Sequence, residues 1–151
     1  MFNFKQSQKL NMSIKDTIKF TFDNDRDIFK YFDPNYPDIK TYDEIADNIY
    51  EKIKSHEKIF NTKFIDLRYG YIFYSLEPNL LISFGVNVNY RMPYIMEDFW
   101  NEIKKNLGSK FDCYLWAKNK RAIDWLKRNG MKEDKKSDYF LNDYKIIKLC
   151  L

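Results

Sequence analysis

Two acidic residues near the middle of the chain, Asp66 and Glu77, have side chains that could take a proton from a reacting group. A carboxylate acts as a general base when it lies within hydrogen-bond reach of that proton. Asp66 falls in a predicted strand and Glu77 in a predicted turn, where carboxylates are also common as plain surface charge. The sequence therefore names both as catalytic candidates, with the surface interpretation as the alternative for each.

The other reactive side chains indicate no second kind of chemistry. His56, the single histidine, falls on a predicted helix, where a solvated position is the simpler interpretation. Cys113 falls in a predicted buried strand and is interpreted as core packing, while Cys150 is too distant in sequence to complete a ligand cluster. We therefore expect no metal site and no disulfide framework.

One predicted strand, Leu80–Tyr90, carries different side chains on its two faces, because successive residues of a strand point to opposite sides of the sheet. The apolar face consists of Phe84, Val86, Val88 and Tyr90. The polar face consists of Ser83, Gly85, Asn87 and Asn89. This polar face either lines a ligand cleft, with Asn87 and Asn89 as contacts, or faces solvent.

The formal net charge of +4, from 26 basic and 22 acidic residues, is too small to require a nucleic-acid partner. All of the excess lies within residues 92–151. The basic side chains between Lys118 and Lys136 alternate with acidic ones, which favours a solvated helix face over a phosphate-binding patch. Aromatic residues make up 19% of the chain, and any that the core does not bury would suit a protein partner.

Periodicity and turn residues predict the elements that position these side chains. Residues 13–32 have a broken helical period and predict one or two short helices. A capping box at Thr41 and Glu44, followed by Ile at every fourth position, predicts a helix over Tyr42–Ile59. Three runs rich in β-branched and aromatic residues then predict an antiparallel meander, at Lys63–Arg68, Gly70–Ser75 and Leu80–Tyr90.

The second half of the chain alternates helices with strands. Pro93 suits the first position of a helix and Gly108 the position just past its end, so a helix is predicted between them. The elements that follow are a strand, a helix and two closing strands, at Phe111–Trp116, Ala122–Arg128, Tyr139–Phe140 and Ile146–Leu151.

The length of 151 residues predicts a single domain over residues 1–151, with a variable helical part over 1–40 and a core over 41–151. No apolar run approaches the ~18 residues of a membrane helix, and no signal peptide is evident. We therefore expect no membrane association and a cytoplasmic location. The excess of Lys over Arg, with many Ile and Asn, is typical of AT-rich coding sequence and indicates a bacterial or phage genome.

The segment 119–131 carries a pattern that resembles a known family. The fourth conserved helix of the GCN5-related N-acetyltransferase (GNAT) superfamily reads N-x-x-A-x-x-x-Y-x-x-x-G-F. Asn119, Ala122 and Gly130 fall on this pattern at the right spacing, with Met131 in the Phe position. The predicted order of elements is also similar to that of the family over most of the chain.

The resemblance implies an α/β (α+β) fold with a GNAT-like mixed sheet, in which an antiparallel meander is followed by β-α-β-α-β-β and two central parallel strands are splayed. In that family acetyl-coenzyme A slides between the splayed strands, and the N-terminus of the next helix holds the pyrophosphate. The implied activity is transfer of an acetyl group from acetyl-coenzyme A to an amine. The implied cofactor-binding residues here are Asn87, Val88, Asn89, Arg91 and Asn119.

The sequence departs from the family pattern at two functional positions. The phosphate loop, R/Q-x-x-G-x-G/A in the family, reads Y-R-M-P-Y-I over residues 90–95 and has no glycine. The proton-donating Tyr of the family corresponds to Leu126, which cannot transfer a proton. With these departures, the sequence resembles degenerate, phage-type acetyltransferase-like proteins. They predict an alternative function, a non-catalytic virion or accessory protein that uses the fold to bind a virion or host protein.

Overall fold

Two helices of the described part of the chain precede the sheet, and each begins at a side-chain cap. Ser13 accepts a hydrogen bond from a first-turn amide and begins α1 (Ile14–Thr21). Thr41 and Glu44 exchange the two hydrogen bonds of the predicted capping box and begin α2 (Tyr42–Glu57). The computed structural model describes residues 13–23, 25, 38–57, 61–141 and 143–151.

The helix predictions for this region are confirmed where the structure describes it. The broken period over residues 13–32 contains α1, and residues 26–32 lie outside the described part of the chain. Ile45 and Ile49, two of the isoleucines with helical spacing in α2, are buried. The predicted final residues of α2, 58 and 59, also lie outside the described residues.

Three strands form the predicted antiparallel meander: β1 (Thr62–Asp66), β2 (Gly70–Leu76) and β3 (Asn79–Val86). The third strand is shorter than predicted, because a 3₁₀ turn over Val88–Tyr90 follows it. The predicted strand alternation up to Tyr90 is therefore wrong after residue 86, and the two asparagines of this turn do not share one face of a strand.

The second half keeps the predicted order of elements. Pro93 is the first residue of its helix, and Gly108, with a φ of 86°, follows the last one, as predicted. A two-residue strand after the last helix was not predicted. The elements are α3 (Pro93–Leu107), β4 (Asp112–Trp116), α4 (Lys120–Arg128), β5 (Lys132–Glu133), β6 (Tyr139–Leu141) and β7 (Tyr144–Cys150).

The described strands form one mixed sheet of seven strands in the order β1-β2-β3-β4-β7-β5, with β6 also paired to β7. Within it β3 and β4 are parallel, and the other described pairs are antiparallel. A parallel pair needs a crossover connection, which α3 provides. This arrangement confirms the predicted mixed sheet and its class.

The two parallel strands separate soon after they meet. Strands β3 and β4 pair only at Leu80 and Leu81 of β3. The register between β3 and β2 skips Ile82, which makes this residue a β-bulge. A bulge bends its strand and increases the local twist. Because Ile82 directly follows the last residue paired with β4, we infer that the bulge turns the rest of β3 away, which gives the predicted splay.

Side chains pack into two clusters, one on each face of the sheet. The cluster beneath α3 and α4 includes Leu81, Ile95, Phe99, Ile103, Leu107, Cys113, Leu126 and Leu149. The cluster beneath α1 and α2 includes Ile18, Phe22, Ile39, Ile45, Ile49, Tyr71 and Phe73. Full burial of one such side chain contributes about 1.5–3 kcal/mol, so packing stabilises both faces of the sheet.

Candidate functional site

A cavity of about 460 Å³ lies where β3 and β4 diverge. It is lined by Phe84 and Gly85 of β3, beyond the bulge, and by consecutive residues of β4 from Cys113 to Trp116. Consecutive side chains of a strand point to opposite faces of the sheet. Because both sets line the cavity, it is open toward both layers of helices.

Aromatic rings form the cavity wall on the side of α3 and α4. The ring of Trp125 lies 6.0 Å from that of Phe84, 5.7 Å from that of Phe99 and 5.7 Å from that of Trp100, measured between centroids. These separations are in the range of favourable aromatic pairs. These contacts join α3 and α4 to β3 in the region where β3 no longer pairs with β4.

Hydroxyl groups line the opposite side of the cavity. The Tyr71 and Ser83 hydroxyl oxygens are hydrogen-bonded at 2.8 Å, and burial raises the pKa of Tyr71. The rings of Tyr114 and Tyr139 lie 6.2 Å apart, and these residues are 40% and 44% exposed. Burial, and then Tyr114, raises the pKa of Tyr139. A protonated phenol can donate a hydrogen bond or a proton to a ligand in this cavity.

Two arginines and one aspartate form a charged cluster at the open ends of β3 and β4. Arg91 donates from Nη2 to Oδ2 of Asp25 at 2.6 Å, and from Nε to the carbonyl oxygen of Val86 at 3.0 Å. Arg121, in the first turn of α4, donates to the same oxygen of Asp25 at 3.3 Å. Burial lowers the pKa of Arg91, and the hydrogen bond that it donates to Asp25 opposes this change. The cluster joins the end of β3 to the start of α4.

Three predicted cofactor residues, Asn87, Val88 and Asn89, do not line the cavity. Asn87 is buried; its Nδ2 donates to the carbonyl of Phe20, and its Oδ1 accepts from the amide of Asn89 at 2.9 Å. The amide of Asn87 donates to the carbonyl of Tyr69 at 2.7 Å. These bonds fix the turn after β3, and through it the position of the residues that follow.

The N-terminus of α3 offers few free amide donors. Pro93 has no N–H, the amide of Met92 donates to the carbonyl of Tyr90 at 2.9 Å, and the amide of Ile95 donates to the carbonyl of Met92 at 3.0 Å. Helix N-termini bind anions through amides that have no partner within the helix. An anion at this place would therefore depend mainly on side-chain donors, and the guanidinium groups beside it are the nearest candidates.

The start of α4 places the predicted residue Asn119 in the cavity wall. Its Oδ1 accepts from the amide of Ala122 at 3.4 Å, so it also caps the helix. Leu126, at the proton-donor position of the family pattern, is fully buried in the larger core cluster. Leu126 therefore contributes to core packing, and its side chain has no proton to donate.

The structure brings neither catalytic candidate to the cavity. Asp66 accepts from the hydroxyl of Thr17 at 2.9 Å and from the amide of Arg68 at 2.8 Å, which joins β1 to α1. Glu77 is exposed in the turn before β3, at the end where β3 and β4 are paired. The side chain of His56 lies outside those that the structure describes.

The cavity lining is cationic. Among the described residues that line it, Lys52, Arg91, Arg121 and Arg128 are basic and none is acidic. Cavity walls of low dielectric strengthen the field of such charges and favour an anionic ligand. The thiol of Cys113 is buried in the wall, and burial raises its pKa, so it is not an activated nucleophile.

The described residues contain no group of three or more His, Cys, Asp or Glu side chains that could hold a metal ion. In the same part of the chain, no helix has the length and the apolar character needed to cross a bilayer.

Sequence reasoning missed four residues that line the cavity, Tyr71, Tyr114, Arg121 and Tyr139. It also missed Asp25, which binds two arginines of the lining. Asp25 interrupts a helical pattern, and Arg121 belongs to the basic segment that was assigned to a solvated face. They are 96 residues apart in sequence. The sequence did contain a signal for Tyr114. Side chains alternate between the two faces of the predicted strand 111–116, so Tyr114 lies on the face opposite to its two buried neighbours.

The chain matches no protein-family model and no curated protein. Solved structures match over nearly its whole length. The ribosomal L7/L12 α-N-acetyltransferase RimL in complex with coenzyme A is 11% identical, with a TM-score of 0.52 over 99% of this chain and 90% of that one. The microcin C7 self-immunity acetyltransferase MccE, with acetyl-coenzyme A and AMP, is 12% identical, with a TM-score of 0.53 over 98% and 87%.

A third match is yncA from Salmonella typhimurium, solved with its cofactor acetyl-coenzyme A. It is 9% identical, with a TM-score of 0.51 over 93% of this chain and 90% of that one. Identities this low show the fold alone. The chain has the fold of the GCN5-related N-acetyltransferases, as the pattern over residues 119–131 predicts.

Proposed function

We propose that the cleft between β3 and β4 binds acetyl-coenzyme A and that the chain transfers the acetyl group to an amine. The observation that carries this proposal is the separation of the two parallel strands after Leu81, with a cavity of about 460 Å³ between them. Beyond that residue the edge of β3 pairs with no described strand on the side of β4. Its backbone groups suit the amides of an extended pantetheine arm, in the way that a peptide adds to a sheet edge.

The charges of the cleft support a cofactor that carries phosphates. Arg91, Arg121 and Arg128 line it, and a guanidinium group matches the geometry of phosphate oxygens. In this proposal these side chains replace the amide donors that the N-terminus of α3 lacks. Asn119 contacts the pantetheine arm, while residues 87–89 act through the shape of the turn that holds Arg91.

Acetyl transfer needs a neutral amine, a donor for the oxyanion and a proton for the departing thiolate. Amides at the free edge of β3 would supply the oxyanion donor. With Leu126 buried, we propose that the hydroxyl of Tyr114 or Tyr139 protonates the thiolate, because both line the cavity. No acidic residue is among the described residues of the lining, so the amine would lose its proton to water. The same charges disfavour a polycationic acceptor.

Two observations favour a second function, protein binding without catalysis. Leu126 occupies the proton-donor position, and the N-terminus of α3 offers few free amide donors. In this alternative the chain is a phage virion or accessory protein that acts in the virion or the host cytoplasm. Tyr94 and Phe140, which are 61% and 71% exposed, would serve as contacts with the partner protein.

Thermal unfolding and calorimetric titration with acetyl-coenzyme A test the first proposal. A ligand at 100 times its dissociation constant raises the free energy of unfolding by about 2.7 kcal/mol. Detection of free thiol with a panel of amines then separates turnover from binding. Binding without thiol release would favour the second function, and the absence of any shift at millimolar cofactor would contradict the first.

A matched pair of variants locates the binding site. Ala122→Phe adds a ring at the cavity wall and should abolish cofactor binding, while Asn101→Phe adds the same ring to an exposed position of α3 outside the cavity lining. We expect normal binding by the Asn101 variant. Equal binding by both variants would place the cofactor elsewhere.

A further inference from the structure

Among the described residues, Asp25 is the only buried acidic side chain, with 4% of its surface exposed. It follows α1, and its amide donates to the carbonyl of Phe22 at 3.1 Å. The ring of Phe22 lines the cavity. A buried carboxylate is costly unless charged donors surround it, so the position of Asp25 depends on its two arginine partners.

The two arginines bind Asp25 unequally. The side chain of Arg91 is 23% exposed and lies 2.6 Å from Oδ2, while that of Arg121 is 57% exposed and lies 3.3 Å from the same atom. Greater exposure of the side chains to solvent and a longer distance between the charged atoms both weaken an ion pair. The bond to Arg121 is therefore the one that a competing anion would break first.

The cluster lies at the mouth of the cleft. Arg91 is anchored to the carbonyl of Val86, the last residue of β3, and Arg121 lies in the helix that follows β4. Asp25 thus bridges the open ends of the two splayed strands. Its carboxylate takes the place between two guanidinium groups that a phosphate group would occupy, because both are anions with oxygen acceptors.

We propose that Arg91 and Arg121 form an anion site at the mouth of the cleft and that Asp25 is its internal occupant. A ligand that carries a phosphate or diphosphate binds there by displacing the carboxylate, first from Arg121. The inference rests on the proposed function only for the identification of that ligand as coenzyme A. Asp25 then sets the affinity of the cleft for phosphates, as an autoinhibitory contact.

The net charge of the cluster predicts whether replacing Asp25 strengthens or weakens anion binding. Two guanidinium groups and one carboxylate leave a net charge of +1, and replacing Asp25 by Asn would raise it to +2. The substitution would also leave the half-buried Arg91 without a charged partner. Both changes favour an external anion.

The test compares wild type with Asp25→Asn by calorimetric titration with inorganic pyrophosphate and, separately, with coenzyme A. Because a hydrogen bond to a charged group is worth enough to change binding by roughly tenfold or more, we expect the variant to bind each probe at least about tenfold more tightly. Asp23→Asn is the matched control, since it removes the same charge from an exposed position two residues away. Its affinities should equal those of wild type.

A second measurement covers the stability of the variant. Without ligand, Asp25→Asn should unfold at a lower temperature than wild type, and pyrophosphate should raise its Tm by more than that of wild type or of Asp23→Asn. Equal or weaker binding of pyrophosphate by folded Asp25→Asn, or an unfolded variant that pyrophosphate does not rescue, would overturn the inference.

The two probes separate this inference from the proposed function. If Asp25→Asn binds pyrophosphate more tightly but neither protein binds coenzyme A, the anion site stands and the proposed function fails. If both proteins bind coenzyme A with equal affinity, the proposed function stands and Asp25 does not compete.

Discussion

The two ends of the β3–β4 pair are held by different interactions. At the closed end, Leu80 and Leu81 pair with β4, and Leu81 is fully buried. At the open end, residues 83–86 of β3 have partners in β2 but none in β4. There the ring of Trp125 and the cluster around Asp25 hold the strand in place.

This difference explains where the cavity lies. Strand pairing brings backbones to about 4.8 Å and leaves no room between them. Side-chain contacts act over longer distances and can rearrange when a ligand enters. We therefore expect the ligand site where β3 does not pair with β4 and is held by side-chain contacts. Variants of the side chains at this open end test that expectation.

The largest expected effect is the loss of a ring at the open end. Phe99 is fully buried against Trp125 and Phe84, so Phe99→Ala should lower the free energy of unfolding by about 3–5 kcal/mol in urea denaturation. Tyr94→Ala, at an exposed position of the same helix, is the control and should change it by less than about 0.5 kcal/mol. A loss below 1 kcal/mol for Phe99→Ala would show that the rings do not hold the open end.

A smaller effect is expected from added volume in β3. A Cβ atom at Gly85 would lie 2.8 Å from Cζ of Phe22 and 3.1 Å from Cε1 of Tyr71. Gly85→Ala should therefore destabilise the chain by about 1–3 kcal/mol, as overpacking does. If the clash is the cause, Phe22→Leu should recover part of the loss in the double variant, and purely additive effects would contradict it.

The hydrogen bond between Tyr71 and Ser83 should contribute less. Ser83→Ala leaves the buried Tyr71 hydroxyl without this partner and should cost about 1–2 kcal/mol in thermal or urea unfolding. Adding Tyr71→Phe removes the stranded hydroxyl, so the double variant should be more stable than Ser83→Ala alone. A double variant with the summed loss of both single changes would mean that the hydroxyls act independently.

The smallest expected effect concerns an exposed charge. Arg128 lines the cavity from α4, so Arg128→Ala should weaken coenzyme A binding by about two- to fivefold without changing the unfolding midpoint. Added salt should reduce the difference, because it screens exposed charges. Lys136→Ala, which removes an equal charge outside the cavity lining, should bind as wild type does.

The fold was predicted well where short-range interactions decide it. The capping box of Thr41 and Glu44, the start of α3 at Pro93 and its end at Gly108 all follow from residues a few positions apart. The end of β3 was predicted wrongly, because the turn at Asn87 depends on carbonyl groups of α1 and of the loop before β2. No local pattern in the sequence contains those partners.

The sequence by itself determined the order of the elements, their apolar faces and the resemblance at residues 119–131, since each depends on spacing along the chain. Only the tertiary structure decided which polar side chains meet at the cleft. Asp25 and Arg121 are 96 residues apart, and both look like ordinary surface charges in the sequence. They meet because the fold places the residues that follow α1 beside the start of α4.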